Sequence, residues 1–242
     1  MESAYLNRLP NDIRDLVQEI EDAAGIEIEI RIDAARAKRL ADDPDPLACE
    51  ADENGARILI PAPDHFPESS ALHELLHIRR FLVDGVPKIV VCEDNWIPQL
   101  EKGLLMLDNN LEHLVIIPEE LKRRPERRSW WIPKFQRILN ELSSAKFAHP
   151  VERDNHAFVA WVSIRHVLGE GSLLDNARQI LERMDLYDRA ERLFEIVAQV
   201  PEAKERVTKT WLEHIGLPLN GICFEYIDIW SRTTDEISIA TG

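Results

Sequence analysis

Ala71-Leu72-His73-Glu74-Leu75-Leu76-His77-Ile78 is the stretch on which the reading of this chain turns. It has the form H-E-x-x-H inside a run with helical periodicity. Residues four apart share a helix face, so His73 and His77 can direct their imidazoles at one metal ion. Glu74 follows His73, where its carboxylate can polarise a water held by that ion. The flanking residues set the helix: Asp64 is placed to cap it, and Pro67 is tolerated in a first turn. It is expected to run to about Val83, where Asp84-Gly85 and Pro87 form a stop. Leu72, Leu75, Leu76 and Leu82 are its expected core contacts.

Toward the N-terminus, a helix capped by Asn7 or Asn11 is expected to reach Ala24, with Gly25 to end it and Ile13, Leu16, Val17 and Ile20 as its apolar stripe. Ile26 to Ile32 alternates strictly and predicts a strand with one buried face. A short helix is expected over Ala34–Leu40, a loop over Asp42–Pro46 and a second strand over Ala56–Ile60. Beyond the motif, Lys88–Cys92 suits an edge strand. A long helix is expected from Pro98 to Ile116, ended by Pro118, with Leu100, Leu104, Leu107, Leu111 and Leu114 along one stripe. Glu101, Asp108 and Glu112 lie on a second face beside it. The remainder reads as helices at about 134–147, 151–168, 172–184, 187–199 and 201–215, then a strand or buried segment over Ile222–Trp230. Composition changes near Pro150. The expected class is α+β: a mixed part over residues 1–120 that holds the motif, and a mainly helical part over residues 121–242.

The chain has 242 residues and a net charge of −15. That balance argues against nucleic acid as the main partner, since phosphate recognition needs a basic face. One basic run exists, Lys122-Arg123-Arg124-Pro125-Glu126-Arg127-Arg128, followed by Ser129, Trp130 and Trp131. Against so acidic a background it reads as a solvated helix end beside core tryptophans. No apolar run approaches the roughly 18 residues of a membrane span, and the first residues do not read as a secretory leader. Cys49, Cys92 and Cys223 form no motif and are expected to be unlinked, which suits a reducing compartment such as the cytoplasm.

H-E-x-x-H supplies two ligands of a catalytic zinc site, which needs three and an open position. After His77 the chain continues Ile78-Arg79-Arg80-Phe81-Leu82-Val83, so the His-x-x-Gly-x-x-His extension is absent. The third ligand is then expected on a following helix, and Glu112 fits best. Asp108, one turn earlier, is placed to accept a hydrogen bond from a ligand histidine. His113 is the rival, but points about 100° away from Glu112 on the helix. Glu93 and Asp94 are weaker rivals.

His73-Glu74-x-x-His77 with a candidate Glu112 resembles the gluzincin metallopeptidases, and among them the minimal ImmA/IrrE-type proteins. The resemblance covers about residues 1–120. It implies Zn²⁺, a zincin-like N-terminal fold, Glu74 as general base and cytoplasmic cleavage of a regulatory protein. The expected function is zinc-dependent hydrolysis of a peptide or protein substrate. The competing expectations are a catalytically silent zincin-like binding protein, and a helical interaction protein in which the motif is accidental. His149, His156, His166, Tyr187 and Tyr226 are possible oxyanion donors by type, and their spacing selects none of them.

Overall fold

The computed structural model describes residues 1–38, 47–92, 98–144, 147, 149–198 and 203–240, with the backbone alone for 98–100. The expected loop at Asp42–Pro46, the weaker rivals Glu93 and Asp94, and the side chain of Leu100 lie outside the described residues. The class is α+β. The chain forms two compact units, Met1–Lys88 with Glu225–Glu236, and Ile89–Phe224 with Ile237–Gly242. No helix among the described residues is long and apolar enough to cross a membrane.

The first unit opens with a short helix, α1 (Ser3–Leu6), and then α2 (Asn11–Ala24). Ile13, Leu16, Val17 and Ile20 recur at helical spacing and are all buried. Gly25 ends α2 at φ +65°, and a Cβ there would come within 2.9 Å of the Trp230 ring, so both backbone conformation and space demand glycine. A three-stranded sheet follows, built from β1 (Glu29–Ile32), β2 (Ala48–Asp52) and β3 (Gly55–Ile60), with α3 (Ala34–Ala37) after β1. Its order is β1-β3-β2. β1 runs parallel to β3, pairing Ile30 with Ile58, and β2 runs antiparallel, pairing Cys49 with Ile58.

β1 is shorter than its alternation predicts. Ile28 is fully buried, but Ile32 is 55% exposed because β1 is an edge strand that outruns its cover. β2 is not foreseen by the sequence. Ala48-Cys49-Glu50-Ala51-Asp52 has no β-branched residue, and the strand exists because the Glu53-Asn54 turn folds it onto β3. The Asn54 N–H closes that turn on Asp52 Oδ1 at 2.8 Å.

The motif helix is α4 (Glu68–Leu82). Asp64 does not cap it: Pro67 holds the N-cap position, and no side chain bonds the first turn there. The helix packs on α2, β2 and β3. Ten of its 15 residues are buried, including all four expected leucines. It is therefore the core element of its unit rather than a surface helix with one apolar stripe.

The second sheet has the order β4-β5-β6, formed by β4 (Lys88–Val91), β5 (Ile222–Asp228) and β6 (Thr233–Ser238). β4 is an edge strand, as its composition predicts. Within the second unit a disulfide joins Cys92, at the end of β4, to Cys223 in β5. This corrects the expectation of three unlinked cysteines. Two residues 131 apart in sequence become neighbours only when these strands pair.

α5 (Pro98–Arg123) passes through Pro118 instead of ending before it. Proline lacks the N–H that would bond the carbonyl four residues back, at Leu114. His166 Nε2 bonds that carbonyl at 2.8 Å, so the carbonyl is satisfied and the helix continues. After one 3-10 turn (Pro125–Arg127) come α6 (Arg128–Ser144), α7 (Pro150–Leu168), α8 (Ser172–Arg183), α9 (Tyr187–Val197) and α10 (Lys204–Ile215). α7 starts where the composition changes, and it is the centre of the unit. Phe158, Trp161 and Ile164 are buried in it, and α5, α6, α8 and α9 pack around it. Asn155 of α7 accepts from Trp211 Nε1 at 2.8 Å and donates to the Gly103 carbonyl at 3.2 Å, which ties α10 and α5 to the same residue.

Cutting the Cys92–Cys223 bridge should remove about 2–4 kcal/mol of stability, because it closes a long loop in the unfolded chain. Urea melts of the protein with and without reductant measure this. Coincident midpoints, with Cys92→Ser behaving as wild type, would show that the bridge contributes nothing.

Candidate metal centre

α4 directs His73 and His77 to one face, four residues apart. Both are almost fully buried, at 8% and 6% exposure. Their ring centroids are 5.0 Å apart with the planes at 76°. Two imidazoles one turn apart, set edge to face, can each turn a nitrogen toward a common point about 2 Å from both. His77 also stacks on Phe81, one turn further on, with centroids 6.3 Å apart. Two imidazoles on one face are donors that could hold a metal ion.

Glu74 is half-buried on the next face of α4. Its carboxylate shares a hydrogen bond with the thiol of Cys49 on β2. Burial pushes the Cys49 thiol well above its usual range, and the Glu74 charge pushes it in the same direction. Near neutral pH Cys49 is therefore a thiol that donates to Glu74, not a reactive thiolate. Sequence reasoning treats Cys49 as a small core residue. Nothing in its flanks signals the contact, because it depends on the register of a strand that the sequence does not announce.

Glu112 belongs to the second unit, on α5. It is fully buried, and its Oε1 lies 2.9 Å from the ammonium of Lys204 on α10. The same ammonium lies 2.6 Å from Asp108 Oδ1, and Lys204 is itself only 1% exposed. Asp108 also accepts the Ile89 N–H at 3.0 Å. Burial pushes the Asp108 carboxyl up, and Lys204 draws it back down. Asp108, expected to bond a ligand histidine, thus bonds Lys204 and the β4 backbone within its unit. Lys204 is absent from the sequence reading. Only its place at the start of a predicted helix was visible, and a lysine there normally signals solvent. His113, next along α5, is half-buried and sets its ring edge to face on Trp131, 5.6 Å between centroids.

Most of the possible oxyanion donors have structural partners. His149 caps α7 by accepting the Val151 N–H at 3.2 Å, and His166 serves the Leu114 carbonyl. His156 packs on Phe147, and Tyr187 accepts from Arg178 and packs on Trp161.

The basic run is likewise committed inside its unit. Arg123 pairs with Glu119 at 2.8 Å, and Arg128 donates to the Val167 and Leu168 carbonyls. Arg127 donates from Nε to the fully buried Glu120 at 2.6 Å, and Trp131 Nε1 donates to the other oxygen of Glu120 at 3.1 Å. Trp130 lies between the Arg127 guanidinium, 3.7 Å from its ring centre, and the Lys134 ammonium, 3.5 Å from it. Here arginines and tryptophans neutralise and cover a buried carboxylate. Comparison with protein families, with curated proteins and with solved structures finds no match.

Arg127→Met should cost about 3–5 kcal/mol, because it leaves the Glu120 charge buried without its cation. Adding Glu120→Gln to that variant should recover part of the loss. Denaturant melts that show the single and double variants equally unstable would deny that the Glu120 charge is the cause.

Proposed function

We propose that this protein is a zinc-dependent metallohydrolase that cleaves peptide bonds. The observation that carries the reading is the buried pair His73 and His77 on one face of α4, with Glu74 beside it. Burying two imidazoles together in a helix core costs free energy unless both are bonded, and a shared metal ion is one arrangement that uses them.

In this reading His73 and His77 would hold the ion. When bound, zinc would supply a Lewis acid that polarises a carbonyl and makes water acidic near neutral pH. Glu74 takes a proton from the attacking water as general base, then delivers it to the leaving amine. α4 holds that carboxylate half-buried. The sequence offers Glu112 as the expected third ligand and His113 as its rival. The alternative reading, a catalytically silent zincin-like binding protein, draws on one observation: the Glu112 carboxylate already serves Lys204. The Cys92–Cys223 bridge weighs against the expected cytoplasmic setting, since such bonds persist in oxidising compartments.

Metal analysis of the purified protein should find one zinc per chain, lost in His73→Ala and His77→Ala. Glu74→Gln should keep the zinc and lower hydrolysis of fluorescently labelled casein by about 10²–10⁴-fold. Glu112→Ala and His113→Ala identify the third ligand by which of them depletes the zinc. A metal-free wild type ends the proposal, and full activity in Glu74→Gln ends the assigned mechanism.

A further inference from the structure

Glu74 is one residue past His73 and so lies about 100° from it around α4. A glutamate side chain has several torsions, and its carboxylate reaches a neighbouring helix face from only a few rotamers. A group outside the helix has to select among them. In the first unit that group comes from β2. α4 packs on β2, and the Cys49 thiol shares a hydrogen bond with the Glu74 carboxylate. The thiol keeps its proton, so it donates and the carboxylate accepts. Cys49 is itself held firmly. It pairs with Ile58 on β3, which is fully buried. Further along β2 the Ala51 carbonyl accepts from the Lys88 ammonium, and Asp52 takes Arg57 at 2.6 Å and the Asn54 N–H at 2.8 Å. A valine would fill the Cys49 position and suit a strand better. What cysteine adds there is a donor.

We infer that Cys49 is a positioning residue for Glu74: its thiol, anchored through β2, holds the carboxylate in one rotamer beside the His73–His77 pair. Cys49, Glu74 and both histidines belong to the first unit. The inference rests on Glu74 as the general base of the function proposed above, and Cys49 acts only through it. A thiol is a weak donor, so it directs a carboxylate while taking little of its capacity to accept a proton. A base held this way is ordered before the substrate arrives, which removes a cost from the reaction.

The contact and its effect are tested separately on the full chain. Cys92 and Cys223 are bridged, which leaves Cys49 as the free cysteine, so its S–H stretch can be read by infrared spectroscopy. Glu74→Ala should move that band to the frequency of an unbonded thiol, and an unmoved band overturns the proposal. In hydrolysis of labelled casein, Cys49→Val should lower kcat by about 10–100-fold, the usual size for a lost outer partner at a metal site, with KM and zinc content as in wild type. Cys49→Ser, which keeps a donor, should recover most of the loss. In a Glu74→Gln background Cys49→Val should have no further effect, whereas a general loss of packing would lower kcat equally in both backgrounds. Circular dichroism reports folding. Should Cys49→Val not fold, Cys49→Ala takes its place with the same expectation. Wild-type kcat in the apolar variant, an equal loss in Cys49→Ser, or a loss that follows the zinc content overturns the role of Cys49 while the zinc reading stands. A wild type that neither binds zinc nor cleaves casein removes both.

Discussion

The burial of α4 is the constraint from which the first unit follows. A helix with ten of 15 residues buried cannot lie on a surface, so α2, β2 and β3 must cover it. The cover is apolar, from Ile13 and Leu16 on α2 to Ile58 and Ile60 on β3. Polar groups caught inside such a core must find partners or cost about 1–3 kcal/mol each. His73 and His77 are among them, at 8% and 6% exposure, which is why their chemistry is the centre of the functional reading.

The second unit solves the same problem with charge. Glu112 and Glu120 are both fully buried on α5, two turns apart, and each has a buried cation beside it: Lys204, shared with Asp108, for the first and Arg127 for the second. Trp131 completes the shell of Glu120, and Asp108 steadies Lys204. The two sites differ in kind. Arg127 and Trp131 occupy both oxygens of Glu120, the pattern of a carboxylate used for structure. Lys204 serves two α5 carboxylates at once, Glu112 at 2.9 Å and Asp108 at 2.6 Å.

Much of the helical framework was legible because helices are local. Apolar residues at three- and four-residue spacing marked α2, α4 and α5, and Gly25 marked the end of α2. Where the reading erred, a distant group had intervened. Pro118 should have stopped α5, but His166 satisfies the carbonyl that proline cannot. Asp64 looked like a cap and is not one. β2 is not legible because Ala48–Asp52 has little strand character of its own and takes it from its pairing with β3.

By itself the sequence determined which chemistry the chain can offer: two histidines and a glutamate at helical spacing, on a helix whose leucines demand burial. Those features depend on residues within one or two turns of each other, and the backbone period alone aligns them. Tertiary structure decided which groups stand beside them. Cys49 reaches Glu74 only through strand register, Cys92 meets Cys223 only through sheet pairing, and Lys204 meets Glu112 only because α10 packs on α5. No local rule links residues so far apart in the chain. Their encounters are set by packing within the core of each unit.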